Sequence, residues 1–382
     1  MRINNKPVIV DLHELPVWRG AQETPTFRCA SFSLTFEEAT GLVRLLSPEI
    51  EAHTVAGYGK KGYRFPTSPP GSSAWGNALA EKSLQGLVET VSDLDGLDVM
   101  EIGGGTLYCA RQMLERMGAR TVTLVDPSTK DIPDDARLQV RREYFTDDTA
   151  VERRPSFIVS FNTLEHVPDP EGFLRAARRH LSDNGRLFIK VPDCGRSLRS
   201  GDLGICAHEH LTYFTNTSLD RLLRATGFKR IGDANYQGAL QILAVKAPSV
   251  RTAPEPEPLS GFKRAADAHV ERIRAFAETH RGGRAAFIGA SVGLSNLLYV
   301  TRPNENLDID IYDSDELKTG KFLPGAQVPI QSTMDWRLET HDTVFVTPMN
   351  FFEEIRAGLM RRPGLAGARI LNVFGDEGWG ED

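Results

Sequence analysis

LDVMEIGGGTLYCARQMLERMGARTVTLVD, residues 97–126, decides the fold of this 382-residue chain. An apolar run ends at Glu101 and Ile102, three glycines follow, a helical pattern comes next, and a second apolar run closes on Asp126. Strand, glycine turn, helix and strand in that order make one half of a nucleotide-binding α/β fold. Gly103, Gly104 and Gly105 let the backbone turn tightly and keep side chains out of a ligand's path. The helix behind them aims its unpaired N–H groups and positive dipole end at the same spot. Asp126 stands where a ribose diol is gripped. The plainer alternative is a strand-to-helix turn with no ligand.

The loop also separates two cofactor classes. A dinucleotide fingerprint wants a third small residue for close helix packing beside a pyrophosphate, and Tyr108 stands there instead, which disfavours NAD. Glu101-Ile-Gly-x-Gly, with an acidic residue closing the next strand, resembles the first two motifs of class I methyltransferases. That resemblance implies S-adenosylmethionine (SAM) as cofactor, held by Glu101, Gly103, Gly104, Gly105 and Asp126. It departs from the usual motif at Leu107, where a final glycine is expected.

Outward from the loop, β-rich runs at 99–101, 122–126, 157–161 and 187–190 alternate with helical patterns, which predicts a mainly parallel, doubly wound sheet. A helix at 218–226 and two further runs, 229–231 and 240–245, fit an antiparallel closing edge. The proline-rich stretch APSVRTAPEPEP, residues 247–258, reads as a semi-rigid linker. Beyond it the same grammar starts again: a helix at 262–280, a strand at 285–288, a Gly289-Ala-Ser-Val-Gly293 turn, then strands at 309–313, 343–346 and 370–374. The expected architecture is α/β: a class I methyltransferase sheet at 78–246, the linker at 247–258, a smaller Rossmann-like domain at 259–382, and a short N-terminal segment at 1–77. That segment holds GYGKKGYRFPTSPPGSSAW, expected to be a surface loop or lid.

A net charge of -6 and a pI near 5.9 give no basic footprint for nucleic acid. No apolar run is long enough to span a bilayer, and MRINNKPVIVDLHELPV lacks the apolar core of a signal peptide, so no membrane partner and a cytoplasmic location are expected. Cys29, Cys109, Cys194 and Cys206 are scattered without a CxxC pair, and they read as isolated thiols.

Ligands of open parallel sheets bind beyond the carboxyl ends of the strands. The strand at 157–161 runs into FNTLEHVPDP, which brings Asn162, Glu165 and His166 to the mouth of the cofactor cleft. The competing explanation is a helix-start pair without substrate contact. A second cluster, His208-Glu209-His210-Leu-Thr-Tyr213-Phe214, follows the next strand. Two histidines around a carboxylate are costly to bury unless paired or used, either in chemistry or in a structural network. Their spacing is not that of two ligands on one helix face, so no metal is expected.

HEHLTYFT, with EHVPDP before it and ATGF after it, resembles sugar C-methyltransferases that act on nucleotide-linked 4-keto deoxysugars. The likeness extends past the linker and covers about residues 78–375. Residues 289–298 resemble that family's GAxxKGxxLL turn, and Asp313, Lys318, Gly320, Lys321, Phe322, Pro324 and Gly325 follow its D-x-x-x-x-K-x-G pattern. Met349-Asn350-Phe351 stands at its WNF element, and Gly238-Ala-Leu240 resembles its GGSL element. The resemblance implies that a base removes a proton beside a ketone and that the enolate takes the methyl group. His210 would be the base, with Glu209 and His166 orienting substrate or stabilising charge. Tyr63, His208, Tyr213, Gly289, Ser291, Asn296, Lys321 and Asn350 would contact a small-molecule substrate, a nucleotide sugar lying between the domains.

Departures from that family leave the acceptor open. Four zinc-binding cysteines usually open the family's chains, whereas Cys29 stands alone here, so the N-terminal module is degenerate and metal-free in expectation. Ala207 replaces a tyrosine before HEH, Gly293-Leu294 replaces Lys-Gly, and Met349 replaces a tryptophan. An O- or N-methyltransferase acting on a sugar or other natural product, or a SAM- or nucleotide-sugar-binding partner without turnover, remains compatible with this sequence.

Overall fold

The computed structural model describes residues 2–3, 6–47, 50, 57–58, 68–236, 238–253, 259–335, 341–361 and 368–379. The chain opens with β1 (Arg2–Ile3) and β2 (Lys6–Pro7), a short hairpin, and then an antiparallel meander of β3 (Val10–Pro16), β4 (Cys29–Glu37) and β5 (Leu42–Leu45). Sequence patterning left this sheet unread, because β5 is short and β3 carries a register shift between Asp11 and Glu14.

After α1 (Ala74–Val91) come β6 (Asp98–Ile102), α2 (Tyr108–Glu115), β7 (Thr121–Val125), β8 (Leu138–Arg141) and β9 (Phe157–Phe161). They are followed by α3 (Pro170–His180), β10 (Arg186–Pro192), α4 (Gly195–Ser200), β11 (Thr212–Tyr213), α5 (Asn216–Ala225), β12 (Phe228–Tyr236) and β13 (Ala239–Lys246). Seven of these strands form one sheet in the order β12-β13-β10-β9-β6-β7-β8. Only β13 runs against the rest, wedged between β10 and β12, and this is the class I methyltransferase topology. β6 and β9 are buried along nearly their whole length, as central parallel strands with both faces covered are. The strand order reverses between β6 and β9, and a ligand crevice opens there.

Local signals agree with this layout. Asp169 caps α3 through Gly172 N, with Pro170 at its first position and Arg178, Arg179 and His180 in its last turn. Thr215 and Ser218 cap α5 reciprocally, which fixes where the histidine-rich segment ends.

The last third holds α6 (Leu259–Thr279), β14 (Arg284–Ile288), α7 (Val292–Thr301), β15 (Asp308–Asp313), β16 (Ile330–Ser332), β17 (Thr343–Val346), α8 (Phe352–Met360) and β18 (Arg369–Asn372). Its five strands are all parallel, in the order β16-β15-β14-β17-β18. One hydrophobic core is shared by the N-terminal meander, residues 194–213 and this C-terminal sheet, and it includes Phe32, Leu198, Tyr213, Leu294 and Phe374.

The approach between these parts is close enough to demand glycine. A Cβ on Gly293 of α7 would lie 2.8 Å from Gly204 Cα, so backbone meets backbone there. No side chain larger than hydrogen fits at position 293 against this backbone.

Candidate active site

The glycine loop leaves β6 with Gly103 at φ 80° and Gly105 at φ 68°, the left-handed region that favours glycine. Space matters as much as torsion: a Cβ on Gly103 would stand 2.1 Å from Thr163 Oγ1. Thr163 Oγ1 in turn lies 3.2 Å from Gly103 O and 3.3 Å from Ile102 O, stitching the end of β9 to the loop. Gly105 N donates to Asp126 Oδ2 at 2.9 Å, while Asp126 Oδ1 accepts from Ser128 N, Ser128 Oγ and Thr129 N at 2.7 to 3.0 Å. Asp126 therefore binds its own turn to the glycine loop. Beneath them Glu101 is 1% exposed, and neither carboxylate oxygen meets a donor among the described residues. Burial, reinforced by the charge of Asp126, pushes its carboxyl up to about 8.

Tyr108, in the third-glycine place, donates its hydroxyl to Glu81 on α1 at 2.9 Å. Its ring takes up the room that a dinucleotide site needs between helix and strand.

On the other side of the crevice, Asn162 ends β9 at φ 49°, with its N–H on Lys190 O at 2.8 Å. The single turn Leu164–His166 follows. The ring centroids of His166 and His210 are 5.0 Å apart, edge to face. Desolvation lowers His166 to about 4, partly opposed by its bond to Glu209 O. Desolvation, helped by His166, lowers His210 to about 3. Both imidazoles are therefore neutral near pH 7. Glu209 O sits 2.8 Å from His166 Nδ1, so that nitrogen carries the proton and Nε2 presents the lone pair. Glu165, 1% exposed, has Oε1 3.8 Å from His166 Nε2 and no hydrogen bond on either oxygen; burial raises it to about 8. The Tyr58 ring centroid lies 5.9 Å from that of His166.

The N-terminal sheet holds these groups in place. β11, three residues or fewer beyond His210, pairs with β5 as the fourth strand of the meander. Leu211 N donates to Glu165 O at 2.8 Å, and Leu45 N donates to Leu211 O at 3.1 Å. Arg44 on β5 forks between the two histidine segments, donating to Thr212 Oγ1 at 2.9 Å and to Pro168 O at 2.6 Å. Sequence reasoning passed over Arg44 and Tyr58 because neither carries a motif; only the tertiary pairing shows what they touch.

The remaining expected site residues are scattered. His208 is 1% exposed, 3.3 Å from Ala30 O and edge-on to Phe32, so it faces the meander rather than His166. Tyr213 is fully buried, its ring 6.5 Å from that of His210, and its hydroxyl donates to Ala207 O at 3.2 Å. Asn296 is fully buried and donates to Leu203 O and Cys206 O, tying α7 to residues 203–206. Gly289, at φ 93°, and Ser291, which caps α7 through Leu294 N, sit at the turn after β14. Nearby, Ala290 N donates to Asp313 Oδ2, and Lys318 Nζ reaches the same oxygen at 3.0 Å. Lys321 Nζ is 3.5 Å from Glu23 Oε1, facing the N-terminal part. Asn350 presses on the β12–β13 turn, where a Cβ on Gly238 would be 2.6 Å from its Nδ2. Tyr63 lies outside the described residues.

Residues 77–231 match the family described as methyltransferase domain, and residues 244–370 match the C-methyltransferase C-terminal domain. Over 322 residues the chain is 26% identical to the C-methyltransferase NovU of Streptomyces niveus, covering 77% of this chain and 75% of that protein. Over 137 residues it is 31% identical to a ubiquinone biosynthesis O-methyltransferase of Idiomarina loihiensis, covering 33% of this chain and 54% of that one. Among solved structures it is similar to the Burkholderia thailandensis 1,6-didemethyltoxoflavin-N1-methyltransferase with bound 1,6-didemethyltoxoflavin and S-adenosylhomocysteine. That likeness has 17% identity and a TM-score of 0.38, over 61% of this chain and 99% of that one. The sheet topology, with these domains, defines a SAM-dependent methyltransferase, and SAM is its cofactor. More particularly, the chain carries the C-terminal domain of the C-methyltransferases behind its methyltransferase domain, and it is a homologue of NovU. No helix among the described residues is long and apolar enough to cross a membrane.

Proposed function

We propose that the protein methylates a carbon beside the ketone of a nucleotide-linked keto deoxysugar, by way of an enolate. The observation that carries this reading is the neutral pair His166 and His210, stitched through Thr163 to the glycine loop. Proton abstraction from carbon needs a base with a free lone pair, and a neutral, half-buried imidazole supplies one.

The residues present fit SAM. Glu101 is a buried carboxylate without a donor, lying under a loop where no Cβ intrudes, and SAM is a cation. We assign its binding to Glu101, Gly103, Gly104, Gly105, Asp126 and Asn162. When bound, SAM supplies an electrophilic methyl group on sulfur.

His210 takes the proton from the substrate carbon and becomes an imidazolium beside the new enolate, where its charge is stabilising. His166, locked by Glu209 O, keeps its Nε2 lone pair available to a substrate hydroxyl. We assign the nucleotide end to Gly289, Ser291, Lys321 and Asn350, and a substrate contact to Tyr63; His208, Tyr213 and Asn296 support the site from the core.

Incubation with keto sugars in deuterium oxide, without SAM, tests the enolate. Washing-in of deuterium beside the ketone is expected in wild type and lost in His210→Ala; a sugar that is turned over without exchange would overturn the route. Ala207, standing where the resembling family has a phenol, favours a second reading, methylation of oxygen or nitrogen. Product NMR separates the two by the atom that bears the new methyl group.

Arg44 is a positioning residue in this reading. Charge-assisted hydrogen bonds each contribute about 1.5–3 kcal/mol. Loss of both in Arg44→Ala should lower kcat by roughly tenfold or more as the two histidine segments drift apart. SAM affinity measured by calorimetry should stay unchanged, because the bonds that Arg44 makes to Thr212 and Pro168 hold the histidine segments and not the glycine loop; a fall in SAM affinity with kcat intact would contradict the assignment.

A further inference from the structure

Glu165, His166 and His210 each offer one donor atom, and the three atoms lie within 4.8 Å of one another. Two features set this trio apart from a chance meeting of polar side chains. Glu165 is almost wholly buried, beside His166 Nε2, with both oxygens unbonded. His166 is held through its other nitrogen by a backbone carbonyl, the outer-shell arrangement that orients a metal-ligating imidazole.

We propose that the trio binds a borderline divalent transition ion, with zinc as the type case, through two imidazole nitrogens and one carboxylate oxygen. A mixed nitrogen and oxygen set suits zinc or cobalt, whereas magnesium and calcium want oxygen alone. Three protein ligands leave a fourth position for water. Donors at about 2.0–2.1 Å from a tetrahedral ion stand about 3.4 Å apart, so the side chains close in by roughly an ångström on binding. The ion takes the Glu165 carboxylate oxygen and one nitrogen of each imidazole as ligands, and any proton on those atoms leaves to solvent.

Metal binding at this trio is independent of the reaction proposed above; its consequence rests on that reading. An ion bound to His210 occupies the lone pair that takes the substrate proton, so zinc is an inhibitor of turnover rather than a cofactor.

The test uses the full chain stripped with EDTA and titrated with zinc or cobalt(II) against a chromophoric chelator. One equivalent is expected to bind, more tightly than in Glu165→Gln or in the double variant His166→Gln/His210→Gln by more than the roughly 10–100-fold that loss of an outer-shell partner costs. The cobalt complex should show weak visible bands without the intense near-ultraviolet absorption of thiolate ligands, which separates this site from the four cysteines. Circular dichroism and SAM binding confirm that the variants are folded; should Glu165→Gln not fold, the histidine variant decides. Equal affinity in wild type and the double variant, or a thiolate spectrum, would overturn the site. Zinc binding in a protein that turns over no sugar would leave the site standing and remove only the proposed function.

Discussion

Methyl transfer by His210→Ala should be about 10²–10⁴-fold slower than wild type, the range that general-base catalysis supplies, with SAM affinity unchanged. The two outcomes are expected together because His210 packs on His166, whereas the glycine loop is held by Asp126 through Gly105 N. Single-turnover rates with saturating SAM measure the first, and calorimetry measures the second. The pH profile gives an independent check. A free imidazole loses its basic form below about 6.5, whereas His210 is lowered to about 3 by burial beside His166. Hence kcat/KM in wild type should hold steady from pH 7 down past pH 6, and a limb with an apparent pKa near 6.5 would place the base elsewhere. Stability moves the other way. Since the folded values of both histidines lie below the ordinary one, the unfolded chain binds protons first, and the fold weakens as pH drops from about 6.5 toward 4.

Gly103→Ala should cost both functions of the crevice at once. A residue with a Cβ held at φ 80° pays about 1–2 kcal/mol for its backbone alone. The added methyl also overlaps Thr163, whose Oγ1, Cγ2 and Cβ would all lie within 2.1 to 2.8 Å. Thr163 cannot step aside without releasing Ile102 O, Gly103 O and Phe161 O, the carbonyls that its hydroxyl faces. SAM affinity is expected to fall by at least about 100-fold, about 2.7 kcal/mol, and the melting temperature should fall with it. Gly104→Ala is the matched comparison: its backbone is ordinary, and the atoms nearest its Cβ would be those of the Leu124 and Glu101 side chains. Equal SAM affinities in wild type and Gly103→Ala would refute the loop's assignment.

How much of this was legible in the sequence depends on the range of the interaction. The strands around the glycine loop, the capped helices and the second parallel sheet follow from local periodicity and capping chemistry, and they appear close to their expected positions. β8 and β16 escaped notice because each is an edge strand of three or four residues with little apolar patterning. The meander escaped for a different reason: its fourth strand comes from the middle of the chain, and no window of sequence contains both partners. The same limit applied at the site. Local spacing in His208-Glu209-His210 argues against a metal, and that argument is sound for those three residues. Yet His208 turns away to Ala30 and its place is taken by Glu165 and His166, from another segment. Asn296 illustrates the converse: a polar residue in a motif position that the fold uses as a tether between backbones.

The pairing of β11 with β5 has a consequence for how the chain is made. β5 leaves the ribosome with one hydrogen-bonding edge open, and the strand that closes it lies 168 residues further on, judged by the Arg44–Thr212 bond. Until then the meander offers a template to any passing strand, the hazard that open edges carry in half-made proteins. Arg44 sits on that edge, and a charged side chain there discourages wrong pairing while the right partner is still unsynthesised. The arginine that later braces the two histidine segments stands, in the nascent chain, as a guard on an unfinished sheet.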